Sequence, residues 1–378
     1  MIEVDFIVIG AGIAGASVAA ELSKSARVAV IEREAQPGYH STGRSATLFS
    51  EIYGNSLIRG LSRASRDFFF HPPAGFSETP LVRPRGALYY ASSGQSEEFA
   101  AFRGEPDVAR DTVLLTSAAA HELVPILKPQ HLAHAAHEPM AMDIDANALL
   151  AGHLRLLRAR GARQVADRTI EAIEYTGGLW NVRTQSETFG APVLINAAGA
   201  WADEIAGLAG VARVDLQPMR RTALLIEPPA GHAIGSWPIA FDISETLYFK
   251  PDAGKLLLSP ADETPSPPCD AQPDDYDVAV AVDRYEQATG MVVDRVQHSW
   301  AGLRTFARDR TPVVGFDATA AGFFWLAGQG GYGIQTSPAL SRLAAALAAG
   351  QPLPDDIKHE GVNVEALAPA RLRLPAEK

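Results

Sequence analysis

The apolar run Asp5-Phe6-Ile7-Val8-Ile9 leads straight into Gly10-Ala11-Gly12-Ile13-Ala14-Gly15 and then into helix-forming residues. A strand that turns through G-x-G-x-x-G into a helix constrains this chain more than any other feature, because each glycine has its own steric task. Gly10 permits the tight turn, Gly12 lets the backbone approach a pyrophosphate, and Gly15 lets the helix pack on the strand. Ile13 and Ala14 open the helix, whose N-terminus offers N–H groups and a positive dipole end to phosphates. A second apolar strand, 28–31, ends in Glu32, at the point about 20 residues on where an acid bonds a ribose 2′-OH. Arg33 follows, within reach of an adenine edge. Strand, turn, helix, second strand and acid stand in the order that separates a dinucleotide site from a chance glycine spacing.

The chain has 378 residues, enough for about two domains. Its net charge of −11 argues against a nucleic-acid partner, which would need a positive footprint. A single cysteine, Cys269, excludes an intramolecular disulfide framework and any multi-cysteine metal site. The ten histidines form no H-x-x-x-H or H-E-x-x-H pair, so no metal is expected. No apolar run approaches about 18 residues, so no membrane span is expected. The first strand begins almost at Met1, which leaves no room for a leader and points to a cytoplasmic protein.

Further along, residues 36–46 form a polar, Gly-rich loop. Residues 56–70 carry apolar positions at helical spacing, and 79–91 read as extended with a bend at Pro84 and Gly86. Asp145 caps a helix over 146–160 that Gly161 closes. Residues 192–201 are a buried strand ending in a small-residue turn, and strands follow at 220–226, 247–250 and 256–258. A last buried strand, 323–327, enters the turn Gly328-Gln329-Gly330-Gly331-Tyr332-Gly333. Ser337 then reads as the cap of a helix with Pro338 in its first position. The fold class is therefore α/β. It has a Rossmann-like dinucleotide domain (1–50, 143–212 and 299–378) and a mostly antiparallel substrate domain (51–142 and 213–298).

Four stretches, 10–32, 38–46, 196–201 and 327–336, together resemble the glycine oxidase, sarcosine oxidase and D-amino acid dehydrogenase family of FAD enzymes. Within it, "EREAQPGYHSTGRSA", "NAAGAW", "AGLAGV", "WAGLR" and "GQGGYGIQTS" are most similar to the bacterial D-arginine dehydrogenases. The resemblance implies non-covalent FAD, since Cys269 lies outside the family's cysteinyl-flavin context. It implies a cofactor seat at Gly10, Gly12, Ile13, Ala14, Gly15, Glu32, Arg33 and Ile170. The loop Thr42, Gly43, Arg44, Ser45 and Ala46 would run beside the diphosphate and flavin. Ala198, Gly199, Trp201, Gly302 and the turn Gly331, Tyr332, Gly333, Ile334, Gln335 and Thr336 would complete it. That turn would aim a helix N-terminus at the flavin.

The same resemblance places Arg221 and Arg304 as a clamp on a substrate carboxylate, to which Arg binds bidentately. Tyr248 and Tyr53 match active-site tyrosines, and Gly331 and Gln335 face the same pocket. Read from the residues alone, Arg221 is equally a solvated strand end and Arg304 a core-edge ion pair, and each tyrosine is equally half-buried packing. Two departures matter. The D-arginine-type sequences carry a histidine where this chain has Leu48 and a glutamate where it has Ala87. An unpaired guanidinium or ammonium in that pocket would be costly, so neutral or apolar side chains are expected. The expected reaction is oxidation of a D-amino acid to a 2-oxo acid and ammonia by hydride transfer from the α-carbon to flavin N5. The electron acceptor is open, a quinone or another carrier. An oxygen-using oxidase of glycine, sarcosine or another secondary amine acid is the rival. A flavin-binding regulatory protein without turnover is a further one.

Overall fold

The computed structural model describes residues 1–373. Strand Phe6–Ile9, helix Ile13–Leu22 and strand Val28–Ile31 follow one another, and the two strands pair in parallel. Both strands are buried throughout, which is why they read as unbroken apolar runs rather than alternating ones. Gly10 has a φ of +96°, and a Cβ there would stand 2.6 Å from the Ala197 carbonyl oxygen. A Cβ on Gly15 would fall 1.9 Å from the Gly10 carbonyl oxygen, so the helix reaches the strand only because that residue is glycine.

These strands belong to a six-stranded sheet ordered Arg163–Val165, Val28–Ile31, Phe6–Ile9, Val193–Asn196, Phe323–Ala327 and Val313–Phe316. Only the last strand runs antiparallel to its neighbour. Helices Ile13–Leu22 and Gly333–Ala348 cover one face, packing Val18, Leu340 and Leu343 on Val8, Val30 and Phe324. A four-stranded sheet covers the other face, packing Trp180, Val182 and Phe189 on Ile7, Ile31 and Trp325.

The second large sheet has nine strands, mostly antiparallel. Its period-2 alternation sorts side chains into two layers. Leu88, Tyr90, Leu224, Ala240, Phe249, Leu256 and Leu258 face helices Ser117–Leu123 and Asp275–Thr289. Ala87, Tyr89, Ile239, Tyr248 and Leu257 face the other way, toward the site. The chain is thus an α/β protein built on several sheets.

Some expectations need correction. Residues 299–306, placed by sequence in the nucleotide domain, belong to strand Val296–Phe306, which pairs along its length with Gln217–Ile226 in the nine-stranded sheet. Helix Ser56–Phe70, placed in the substrate domain, buries Leu61 and Ala64 against the nucleotide side. Strand Met142–Ile144 pairs with both Leu48–Phe49 and Val82–Pro84, across the expected boundaries at 50 and 143. Helix Asp275–Thr289 follows a Pro- and Asp-rich loop whose composition hid it.

The last long helix begins at Gly333, one turn before the expected Ser337, and Pro338 lies inside it. Pro338 has no N–H for the Ile334 carbonyl, and the Ser337 hydroxyl donates to that carbonyl instead at 2.9 Å. The Ala339 N–H donates to Ser65 Oγ at 3.0 Å, on the neighbouring helix. These substitutes let a proline stand in a helix interior.

Candidate active site

The first helix turn carries the phosphate-facing groups. Ala11 N–H donates to Glu32 Oε2 at 2.7 Å and Ile13 N–H to Thr42 Oγ1 at 3.0 Å. Among the described residues no protein acceptor takes the Gly12 and Ala14 N–H groups, which leaves them for an anion at the helix N-terminus. A Cβ on Gly12 would stand 3.3 Å from Thr42 Oγ1, inside that seat. Glu32 also accepts from Glu34 N–H at 2.9 Å, so its carboxylate is fixed at the cavity wall.

A cavity of about 470 Å³ runs from here along the domain seam. It is lined by Gly10, Gly12, Ile13, Ala14, Glu32, Arg33, Thr42, Arg44, Ser45, Ala46, Ile170, Ala198, Gly199, Trp201, Gly302, Gly331, Gly333 and Ile334. These residues, the unbonded N–H pair and the length of the cleft fit a dinucleotide. Gly15, Gly43 and Thr336 do not line it. Gly15 packs on Gly10, Gly43 closes a loop by donating to the Gly38 carbonyl at 2.8 Å, and Thr336 is buried with its hydroxyl on the Tyr332 carbonyl at 2.8 Å. Tyr332 and Gln335 line the neighbouring cavity instead.

At the Glu32 end of the cavity the Arg33 guanidinium lies 4.3 Å over Trp201 and is bonded to Glu34 at 2.8 Å. Tyr39 and His40, not anticipated from sequence, line the same end, with His40 2.9 Å from Glu34. The loop 42–48 is held from behind. Lys250, only 3% exposed, donates to the Thr47 carbonyl at 3.1 Å and pairs with Asp143 at 2.8 Å. Arg44 donates to the Ala271 carbonyl at 2.8 Å and pairs with Asp270.

A second cavity of about 520 Å³ shares Ser45, Ala46, Arg221, Tyr248, Arg304 and Gly331 with the first. Register explains why the two arginines meet. Met219 pairs with Arg304 and Arg221 with Gly302, so Arg221 and Arg304 are diagonal neighbours on one face of the ladder. Gly331 makes room for Arg304, since a Cβ there would stand 2.9 Å from Nη1.

The two guanidinium groups differ in state. Arg221 donates to the Asp262 carbonyl at 2.7 Å and to Glu263 at 3.1 Å. Burial alone would raise the Glu263 carboxyl, but its bonds to Arg310 and the nearby Arg221 and Arg304 hold it below the usual carboxylate range. Arg304 forms no ion pair among the described residues, and its one hydrogen-bond partner is Tyr53 Oη at 3.5 Å. Tyr53 packs edge-on against Tyr332 at 4.9 Å, and burial pushes the Tyr332 phenol up to about 12.

Away from this junction the second cavity is walled by Leu48, Ile52, Tyr89, Phe102, Ile239 and Phe241, and Arg59, Asp242, Glu245 and Arg310 line it as well. Gln335 lines it while accepting from Ser50 N–H at 3.1 Å. Ala87 does not reach it. That methyl is fully buried beneath Tyr89 and Ile239. Sequence reading missed Glu263, Glu138 and the aromatic wall of Phe102 and Phe241. Strand alternation around 239–241 was the available signal for the last.

A cleft that fits a dinucleotide and opens onto a side-chain cavity under an antiparallel sheet is the layout of a cofactor-dependent enzyme acting on a small molecule. The chain belongs to the FAD dependent oxidoreductase family (DAO), whose model matches residues 5–347. Its cofactor is FAD. It is similar to the uncharacterized oxidoreductase YurR of Bacillus subtilis (strain 168), 26% identical over 92% of this chain and 95% of that protein. Among solved structures it is similar to glycine oxidase from Geobacillus kaustophilus, with TM-score 0.80 and 22% identity over 93% of this chain and 96% of that one. It is also similar to L-proline dehydrogenase from P. horikoshii, with TM-score 0.82 and 21% identity over 98% of each chain. At these identities the two structures share the fold. Cys269, half-buried, lies outside both cavities. Among the described residues no helix is long and apolar enough to cross a membrane.

Proposed function

We propose that the protein is an FAD-dependent dehydrogenase of D-amino acids with neutral or apolar side chains. The product is an imino acid, which water hydrolyses to a 2-oxo acid and ammonia. In this reading the parallel sheet serves the cofactor and the antiparallel sheet the substrate. The bound FAD supplies the acceptor for the hydride that leaves the substrate α-carbon. Arg304 takes the substrate carboxylate, with Arg221 as a second donor weakened by its bond to Glu263. Tyr53 and Tyr248 flank the same position and restrict how the α-carbon is turned. None of the residues shared by the two cavities is a histidine or a carboxylate, so the amine proton leaves to water or a backbone carbonyl.

The observation that carries this reading is the Arg304 guanidinium, without an ion-pair partner among the described residues, where the two cavities meet. An arginine in that state calls for an anion. Leu48, Ile52, Phe102, Ile239 and Phe241 support an apolar substrate side chain. The resemblance of motifs such as "NAAGAW" to D-amino acid dehydrogenases supports the D series. A cavity of about 520 Å³ favours a substantial side chain over glycine or sarcosine. A panel of D- and L-amino acids followed by flavin absorbance, with and without oxygen, tests the reading. Expected are anaerobic bleaching by neutral D-amino acids, release of 2-oxo acid, and slow reoxidation by oxygen. Bleaching by sarcosine or by L-amino acids alone would overturn it.

A further inference from the structure

Glu138 closes the His134–Glu138 strand directly opposite Ala87. Cross-strand partners share a face, so its side chain lies with Ala87 and Tyr89 in the layer that faces the second cavity. It is 2% exposed and forms no ion pair among the described residues. Its side-chain partners are hydroxyls. Ser50 Oγ lies 3.0 and 2.9 Å from its two oxygens and Tyr89 Oη 3.1 Å from one. Both partners lead to the cavity. Tyr89 lines it, its ring held by Phe102 at 4.7 Å and by Phe241, stacked at 5.4 Å. Ser50 N–H donates to Gln335, which lines it too and donates onward to Ser62 Oγ at 3.0 Å. A carboxylate this deeply buried, beside the Ala87 methyl on the neighbouring strand, is costly to keep, and packing alone does not call for one.

We propose that Glu138 sets the side-chain preference of this cavity. Acting through Tyr89 and Ser50, it makes the far end receptive to a side chain that ends in a hydrogen-bond donor and hostile to one that ends in a carboxylate. The proposal rests on reading this cavity as the pocket for an amino-acid side chain. Glu138 is a positioning residue in this account. When ionised it accepts the Tyr89 O–H hydrogen bond, so the phenol oxygen has only lone pairs left to offer, and bonds linked in this way polarise one another. Its negative charge also repels a substrate carboxylate through a wall of low polarity.

Burial pushes the Glu138 carboxyl up to about 7, against the Ser50 and Tyr89 hydroxyls and the Glu51 N–H, which favour the ion. Other titratable groups that act on this cluster are the Glu51 carboxylate, tied to Arg66 at 3.0 Å, and Tyr53, which acts on Tyr89; the cavity itself is also lined by Arg59, Asp242, Glu245 and Arg310, fixed charges common to all three test substrates. The preference therefore strengthens as pH rises through neutrality.

The test is Glu138→Gln, assayed on the holoenzyme with D-glutamine, D-glutamate and D-norleucine. The wild type is expected to prefer D-glutamine to D-glutamate in kcat/KM, and the variant to lose about tenfold of that ratio. In the wild type the ratio climbs between pH 6 and 8, and in the variant it is flat. Tyr89→Phe, which removes only the relaying hydroxyl, is expected to lower the same ratio. An unchanged ratio and pH profile overturns the proposal, as does an equal loss with all three substrates. Flavin bleaching tests the reaction separately. If none of the three bleaches the flavin, the reaction reading falls. The same ratio is then read from flavin spectral shifts on titration with 4-carbamoylbutanoate and glutarate.

Discussion

Replacing Arg304 with methionine removes the one guanidinium at the junction that forms no ion pair among the described residues. A bidentate pair with a substrate carboxylate contains two charge-assisted hydrogen bonds, each worth about 1.5–3 kcal/mol. Arg304 opens into the cavity and water competes for it, so the lower part of that range applies. A total of about 3–4 kcal/mol is expected, a loss of about two to three decades in kcat/KM. Arg221 already shares its charge with Glu263 at 3.1 Å, so Arg221→Met should cost only about tenfold. The assay is steady-state kinetics with D-leucine, together with the Kd of a non-oxidised carboxylate read from the flavin spectrum. Flavin content per protein is measured in each variant, because Arg304 also lines the cofactor cleft. The reasoning is refuted if Arg304→Met keeps near wild-type kcat/KM with full flavin content. It is refuted equally if Arg221→Met is the more damaging change.

Three further outcomes are expected. Gly331→Ala would place a Cβ 2.9 Å from Arg304 Nη1, so KM should rise while flavin content holds, as steady-state kinetics and absorbance will report. Acid precipitation should release FAD into the supernatant, and a pellet that stays yellow contradicts non-covalent binding. His153 is buried against Phe68 and Phe76 with both ring nitrogens unpartnered among the described residues, and desolvation, with smaller contributions from Arg160 and Lys24, lowers its pKa to about 3. The folded state then binds fewer protons than the unfolded one, so stability is lost as pH falls below about 6.5, by about 2 kcal/mol between pH 7 and 5. His153→Leu should remove that dependence, which denaturant titrations at the two pH values will check.

The cofactor side of the fold was legible because its constraints are local. Gly10 is demanded by its own positive φ and Gly15 by the Gly10 carbonyl five residues earlier, and the apolar runs at 6–9, 28–31 and 323–327 are buried on both faces. The misplaced start of helix Gly333–Ala348 came from reading Pro338 as its first position, when Ser337 and Ser65 supply the missing backbone partners. Strand Val296–Phe306 was assigned to the wrong sheet because its partner, Gln217–Ile226, lies far away in sequence. The site shows the same split. Arg221 and Arg304 could be named from motifs, but the bond that neutralises Arg221 comes from Glu263 in a loop with no signature. Ala87 was read as the end of the pocket. Only the cross-strand register reveals that it is covered and that Glu138 stands opposite it.

Anaerobic mixing of the purified yellow protein with D-leucine and, separately, L-leucine tests the central claim most directly. The account expects the flavin absorbance to bleach with D-leucine and to stay unchanged with L-leucine, with the bleaching lost in Arg304→Met. Bleaching by the L enantiomer alone, or by neither, would contradict it.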